Sequence, residues 1–562
     1  MLNQCLTLQR RTKSDIDSHP TTGNKWGESC FWGGRSPICQ CRPVVPLPLE
    51  VYPHAARNLV SFPRFRHFVG PSFCPGAASL KIIYKPISGS TLLNELFARH
   101  WVTLHGLVVM LGLAIYAIAS HTLRQRRHPS AAIAWVVSLV LLPYIALPLY
   151  LMFGSRKVVV HRRASNAQTS SGQASDTENP ATKAGQLAVA MGIPGAAAFE
   201  QLTIHQDGGQ ALQSLRNMID SARQTLDLCS FIFGRDVLGD EIAMHLMRRA
   251  REGVHIRFLI DGIGFYLGGH PNLKRLSSAG VQVALFVSPL RSPLRGRTNL
   301  RNHRKMVIVD GEWMWSGGRN LAAEYFEGDQ TSLRKKQAWI DLSFDLRGAL
   351  AQQAQQRFEQ DWAFATKGTT ARTLRPAVPI PIAAAMSGRL VASGPDQAED
   401  TIYTLLVSGC FTAHSRILAV TPYFVPDSTL LMALTLAARR GIAVDLLLPR
   451  KSNHYLADIA RHSALRELVA AGARVWLAPR MIHAKAILID NELALVGSAN
   501  LDERSLFLNY ELMIAFYEPS VVQSFAQWVE WQRSSAAHYR PRPPGLVREL
   551  VEGMVRWVAF QL

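Results

Sequence analysis

The sequence predicts an α/β protein built from two copies of one α/β/α sandwich domain, preceded by a hairpin of two transmembrane helices. Three observations carry this reading. Strand-like and helix-like segments alternate from about residue 200 onward. The same order of segments then returns, with the matching residues His303 and His483 standing 180 positions apart. Two long uncharged apolar runs come before both copies.

The chain has 562 residues, enough for several domain-sized units with sizeable cores. With 48% hydrophobic and 18% charged residues it is neither wholly disordered nor a coiled coil. Lys and Arg number 61 against 41 Asp and Glu, a formal charge of +20 that favours anionic partners such as phospholipid headgroups. Seven cysteines in such a chain do not make a disulfide scaffold. Cys30, Cys39 and Cys41 have no fourth ligand nearby to close a metal site, and Cys229 and Cys410 read as free buried thiols.

Residues 1–95 read as an irregular N-terminal extension, mixing Pro, Gly, Ser and scattered Arg without a helical or strand period, and they open without a signal peptide. Within residues 96–155 lie Trp101 to Ser120 and Ala131 to Phe153, each about as long as a bilayer-spanning helix and free of formal charge. Pro143 and Pro148 fall inside the second run. The short link between the runs carries Arg124, Arg126 and Arg127, and the outer flanks carry Lys85, Arg99, Arg156, Lys157, Arg162 and Arg163. For a hairpin that crosses twice, the positive-inside rule is therefore divided, leaning weakly towards a cytoplasmic catalytic region. Residues 156–199, rich in Ser, Ala, Gln, Thr and Gly, read as a linker.

The first sandwich is expected over 200–375 and the second over 385–562. Thr225–Phe233, Val254–Ile260 and Val281–Phe286 read as strands, with helices over Leu238–Arg251 and Leu273–Ala279. Ile417–Tyr423 and Ser428–Arg440 open the same series again, and the Gly-Val turn at 253 and 254 has its counterpart at Gly441 and Ile442. The tail from Gly545 to Leu562 reads as a helix whose apolar stripe, Leu546, Val547, Leu550, Val551, Met554, Val555 and Val558, packs on the catalytic core.

The chemistry sits at equivalent places in the two copies. His303, Lys305 and Asp310 are followed by Gly317, Gly318 and Asn320; His483, Lys485 and Asp490 are followed by Gly497, Ser498 and Asn500. Both fit H-x-K-x4-D-x6-G-[GS]-x-N without a gap. His and Lys two residues apart share one face of an extended chain, so an imidazole and an ammonium converge on one spot, suited to attacking and holding a phosphate. The Asp, an odd number of residues on, faces away and reads as a structural partner. The Gly-[GS]-x-Asn turn, with Ser498 in the second copy, offers close backbone approach and amide donors for phosphate oxygens. No metal-ligand set accompanies either copy.

These residues resemble the phospholipase D superfamily over about residues 200–562. The run from Thr421 to Asp427, the run from Val496 to Asp502 and the segment from Leu508 to Glu511 resemble the bacterial cardiolipin synthases more specifically, as does the pair of N-terminal apolar runs. The resemblance implies one active site on a pseudo-two-fold axis, with one histidine attacking phosphorus and the other protonating the leaving alcohol. His303 is expected as the nucleophile and His483 as the acid, with Lys305, Lys485, Asn320 and Asn500 around the phosphate. Glu511, and Asp341 as its first-copy analogue, are expected to orient the histidines. The implied reaction transfers phosphatidyl between two phosphatidylglycerol molecules, giving cardiolipin and glycerol, without cofactor or metal, at a bacterial inner membrane that the chain crosses more than once. Hydrolysis by the same residues and phosphatidylethanolamine as co-substrate stay open as alternatives. No nucleic-acid partner is expected, because the apolar runs and lipid-synthase signatures argue against a nuclease.

Overall fold

A computed structural model of the chain describes residues 89–122, 129–154, 183–287, 299–328, 337–368 and 386–558. Most of the expected N-terminal extension and most of the expected linker lie outside the described residues.

In the first repeat seven strands are formed: β1 (Ala197–His205), β2 (Thr225–Ser230), β3 (His255–Asp261), β4 (Gln282–Phe286), β5 (Met306–Val309), β6 (Trp313–Gly317) and β7 (Ser343–Arg347). The second repeat adds β8 (Met386–Ser393), β9 (Arg416–Val420), β10 (Phe424–Val425), β11 (Ala443–Pro449), β12 (Arg474–Ala478), β13 (Ala486–Ile489), β14 (Leu493–Gly497), β15 (Leu501–Asp502), β16 (Glu511–Phe516) and β17 (Ala537–His538). The first repeat runs β1-β7-β6-β5-β2-β3-β4 across its sheet, and the second runs β8-β16-β14-β13-β9-β11-β12. Strand for strand these orders are the same, so the duplication extends to the whole fold. Antiparallel pairing of β1 with β8, Phe199 opposite Met386 and Ala197 opposite Gly388, joins the halves into one 15-stranded sheet with β17 at its far edge.

Helices cover the sheet because its strands are apolar on both faces. In β3, Phe258, Leu259 and Ile260 are all fully buried. Leu259 joins the core that also holds Ile308, Phe344 and Phe358, while Phe258 and Ile260 pack with Leu228, Val307 and Ile242 on the other face. Aspartates start the covering helices: Asp207 caps Gly208–Ser221, Asp236 caps Val237–Arg251 and Asp427 caps Ser428–Arg439, each accepting from backbone N–H groups of the first turn. Cys229 and Cys410 are free and buried, as expected.

Three expectations change. Residues assigned to the linker fold instead: Lys183–Ala190 is a helix, and β1 begins at Ala197. Ala188 and Ile193 are buried in the core of the second repeat, which draws this segment out of solvent. The C-terminal helix, Leu546–Val558, packs through Val555 and Glu552, the latter bonded to Arg466 and Arg548, while Leu546, Val547, Leu550 and Met554 stay exposed. Its stripe therefore meets the core only along one edge.

The third change concerns the apolar runs. The first lies in α1 (Gly89–Thr122), whose stretch His100–Ser120 is long and apolar enough to cross a membrane. The second is broken into α2 (Pro129–Leu141) and α3 (Pro143–Phe153). Pro143 lacks an N–H and forces the residue before it out of the helical region, so Leu142 sits at φ −134 and ψ 54.

Candidate active site

Each His-x-Lys segment is an extended stretch just ahead of its strand, β5 or β13. Backbone bonds tie it to the other repeat. His303 N donates to Tyr510 O at 2.9 Å, and Tyr510 N donates to Arg301 O at 2.8 Å. On the other side of the pseudo-two-fold, His483 N donates to Ile340 O at 2.6 Å, and Ile340 N donates to Met481 O at 2.9 Å. Those partner segments carry the carboxylates, so the pairing is crossed. His303 Nδ1 meets Glu511 at 2.9 Å and 3.1 Å, and His483 Nδ1 meets Asp341 Oδ2 at 2.7 Å. Each histidine is thus oriented through Nδ1 by a carboxylate from the opposite repeat. Both lysines act electrostatically on both histidines, and both carboxylates act on both lysines, which makes this one site.

Burial governs the charges. His303 and His483 are both almost fully buried, and loss of water lowers them to about 4 and about 3; the nearby lysines add to this, and the carboxylates only partly oppose it. Burial also lowers Lys305 to about 8 and Lys485 to about 7, Lys305 itself pushing Lys485 further down. Burial alone would raise Asp341 and Glu511, but their histidine and lysine neighbours outweigh it and hold both below the usual carboxylate range. The site therefore holds two neutral imidazoles and two lysines that lose their protons readily. An anionic phosphate reverses the balance by favouring every positive charge around it.

A pH dependence follows. As pH rises through about 7 to about 8, the free protein loses the ammonium charges of Lys485 and then Lys305, and kcat/KM is expected to fall across that window. Bound phosphate holds the protons on, so the fall in kcat is expected at higher pH. Rates at fixed lipid fraction in mixed micelles check this. Coincident falls in kcat and kcat/KM would contradict it.

The lysines differ in their contacts. Lys305 Nζ donates to the His303 carbonyl at 2.7 Å. Lys485 Nζ donates to the His483 carbonyl and also lies 2.9 Å from His483 Nε2. The His303 side chain is 11% exposed and that of His483 only 4%.

Two groups of expected site residues need correction. Asp310 and Asp490 lie outside the site. Asp310, at φ 51, accepts the backbone N–H groups of Arg223, Gln224 and Thr225; Asp490, at φ 52, accepts those of His414, Ser415 and Arg416 and the Ser415 hydroxyl. They hold the entries to β2 and β9, chiefly through backbone amides. Ser498 does not face a phosphate position. Its hydroxyl donates to Glu511 Oε2 at 2.5 Å and accepts from Leu512 N at 2.9 Å, so it fixes the carboxylate behind His303. Asn320 and Asn500 are both buried. Asn320 Oδ1 accepts from Ile232 N at 3.3 Å, and Asn500 Oδ1 has no partner.

Gly318 stands where the second repeat has Ser498, for a steric reason. A Cβ on Gly318 would collide with the Asp341 carboxylate, which takes the space that the Ser498 side chain fills in the other copy. Gly318→Ser is expected to displace Asp341 from His483 and lower kcat on the order of 10²-fold, the scale for about 1 Å of misplacement. Ser498→Gly removes one hydrogen bond to Glu511, about 1 kcal/mol, and is expected to cost less than 10-fold. Comparing the two turnover numbers tests the assignment.

Two further groups carry no motif signal. Phe231 stacks edge-on to His303 at 5.0 Å, and Tyr325 and Trp339 contact His483 at 5.0 Å and 5.6 Å. These rings explain much of the desolvation, and they come from chain positions that no motif connects. Arg304, inside the motif but variable between copies, is fully buried. It bonds Asp361 at 2.5 Å, the Glu511 carbonyl at 3.0 Å and the Ser393 carbonyl at 3.0 Å, so it braces the strand that carries Glu511. Copy two has Ala484 there.

A duplicated sandwich with its two His-x-Lys segments interlocked across a pseudo-two-fold defines a phospholipase D-like protein. A family model described as cardiolipin synthase, phospholipase D-like domain, matches residues 215–362 and 411–533, and one described as phospholipase D-nuclease N-terminal matches residues 112–155. The chain is 32% identical over 464 residues to cardiolipin synthase A of Pseudomonas aeruginosa, covering 79% of this chain and 93% of that protein. It is 31% identical over 428 residues to cardiolipin synthase A of Shigella flexneri, covering 72% and 86%, and 30% identical over 445 residues to a cardiolipin synthase of Alkalihalophilus pseudofirmus, covering 76% and 87%. The chain belongs to the cardiolipin synthase family of phospholipase D-like proteins.

Proposed function

We propose that this protein is a phosphatidyltransferase that makes cardiolipin from two molecules of phosphatidylglycerol. The observation that carries the reading is the pair of buried histidines, each held by a carboxylate of the other repeat and flanked by a lysine. His303 Nε2 attacks phosphorus, displacing glycerol, which leaves with a proton from His483. The second phosphatidylglycerol gives its hydroxyl proton back to His483 as its oxygen attacks the phosphohistidine, releasing cardiolipin and free His303. The greater exposure of His303 supports this division of roles. Lys305, Lys485, Asn320 and Asn500 surround the phosphate, and Glu511 and Asp341 hold the two rings.

The exposed apolar side chains within residues 101–120 and 132–152 support a bilayer anchor in the bacterial inner membrane, followed by two repeats that begin at β1 and β8. Anchoring keeps a lipid hydroxyl at high local concentration and favours transfer over hydrolysis. The test is incubation of the purified protein with acyl-labelled phosphatidylglycerol in mixed micelles. Cardiolipin with equimolar glycerol is the expected product; phosphatidic acid alone would identify a hydrolase. Added phosphatidylethanolamine that yields cardiolipin with ethanolamine release would identify the second lipid.

A further inference from the structure

We infer that α1 is the one segment of residues 89–153 that crosses the bilayer, that α2 and α3 form a re-entrant hairpin returning to the side they entered from, and that the catalytic repeats therefore lie on the cytoplasmic side, opposite residue 88. The inference rests on the reading of residues 101–153 as a membrane anchor and adds the path of the chain through it.

The fold-back is visible in ring contacts. Trp135 in α2 lies 5.2 Å from Tyr150 in α3. Fifteen residues of continuous helix would separate these positions by about 22 Å. Helix α1 shows the same thing from outside. Its Trp101 meets Tyr144 at 5.7 Å and its Tyr116 meets Tyr150 at 5.4 Å, so α3 runs in the same direction as α1. A Cβ on Gly112 would touch both Leu139 of α2 and Leu147 of α3, so α1 packs against both arms.

Length agrees. With 13 and 11 residues, α2 and α3 extend about 20 Å and about 16 Å, short of the roughly 30 Å hydrocarbon core. The tip is apolar: Leu141, Leu142 and Ile145 are exposed, and no charged residue occurs from Ala131 to Phe153. Part of its backbone is bonded internally or by α1, which hydrocarbon favours. Leu142 N donates to Ser138 O at 2.8 Å, Ala146 N donates to Leu142 O at 2.8 Å, Pro143 has no N–H, and His105 Nε2 of α1 reaches the Val140 carbonyl at 3.3 Å.

This path resolves the divided charge count. A hairpin crossing twice would set Arg124, Arg126 and Arg127 against Arg156, Lys157, Arg162 and Arg163 on opposite faces. A re-entrant hairpin puts all seven on one side, against Lys81 and Lys85 before α1 and Arg99 ahead of its apolar stretch. Seven basic residues close to the helix ends mark that side as cytoplasmic.

The experiment uses the full chain in a Gram-negative host, with Cys5, Cys30, Cys39, Cys41 and Cys74 changed to Ser and the buried Cys229 and Cys410 left in place. Single cysteines are introduced as Ser88→Cys, Gln125→Cys and Ser165→Cys, each checked for retained cardiolipin formation. A membrane-impermeant maleimide on spheroplasts is expected to label Ser88→Cys, and to label Gln125→Cys and Ser165→Cys only after permeabilisation. Ser88→Cys and Ser165→Cys labelling alike, with Gln125→Cys opposite, would mean two full crossings and overturn the re-entrant path. All three labelling alike would remove α1 as a crossing. Labelling of Gln125→Cys and Ser165→Cys alone in spheroplasts would reverse the orientation. Release of the protein by alkaline carbonate would refute the anchor itself, separately from its path, and conversion of labelled lipid tests the chemistry independently of all these.

Discussion

Changing His303 to alanine is expected to abolish covalent labelling of the protein by a phosphatidyl donor, whatever the leaving group. Changing His483 to alanine is expected to leave the label in place and to trap it. The reason lies in the protons. Displacing glycerol needs an acid, whereas displacing a good leaving group such as p-nitrophenol does not, so a p-nitrophenyl phosphatidyl donor loads His303 without help. Unloading by a lipid alcohol needs a base, which the His483→Ala protein lacks. Its turnover with phosphatidylglycerol is expected to fall by on the order of 10²–10⁴-fold, the usual worth of one general acid–base group. The readout is acid-labile, base-stable radiophosphorus label on the protein after a short incubation with a donor labelled at phosphorus. A label mapped to His483 in the His303→Ala protein would exchange the two roles. Inversion at a chiral phosphorus with no label in any variant would end the two-step mechanism.

The carboxylates offer the second large effect. Glu511 is fully buried, accepts from His303, Ser498 and Asn509, and keeps the proton on His303 Nδ1. In Glu511→Gln the shape is kept but the amide can present N–H to Nδ1, which moves the ring proton to Nε2 and removes the nucleophilic lone pair. Loss on the order of 10³-fold is expected with natural and activated donors alike. In Asp341→Asn the damaged ring is His483, so the activated donor still loads while transfer between two natural lipids drops. Labelling rates with the two donors separate the variants. Equal slowing of both donors in Asp341→Asn would mean that Asp341 is merely structural, and unequal slowing in Glu511→Gln would overturn the role given to Glu511.

The two His-x-Lys-x4-Asp motifs were legible because their residues are contiguous and the second copy repeats the first without a gap. The alternation of strand and helix was legible for the same reason as the cores are dense: β3 and β11 are short apolar runs buried on both faces. The crossing of carboxylates was not legible. Glu511 lies 11 residues after Asn500 and looks local to its own repeat, yet the partner of His303 is fixed by Tyr510 pairing with Arg301 and His303, a contact between chain positions over 200 apart. Ser498 misled because a hydroxyl beside a glycine turn suits a phosphate as well as a carboxylate. Asp310 and Asp490 face away, as their odd spacing from the histidines implies, but spacing does not say that backbone amides receive them. β1 and β8, which join the halves, escaped because their apolar alternation is weak: β1 leaves Glu200 and Gln201 exposed at an irregular register. In the second apolar run the composition was right and the continuity wrong, since hydropathy counts residues and Pro143 interrupts geometry.

The crossed pairing bears on how the protein is made. A ribosome delivers His303 long before Glu511, so the nascent first half carries a histidine with nothing to fix its tautomer and half of its walls still unsynthesised. Chemistry waits until the segment around Tyr510 has emerged and docked. A chain truncated by premature termination anywhere before that point therefore releases no reactive fragment to act on the lipids around it, and quality control over catalytic competence is written into the order of translation.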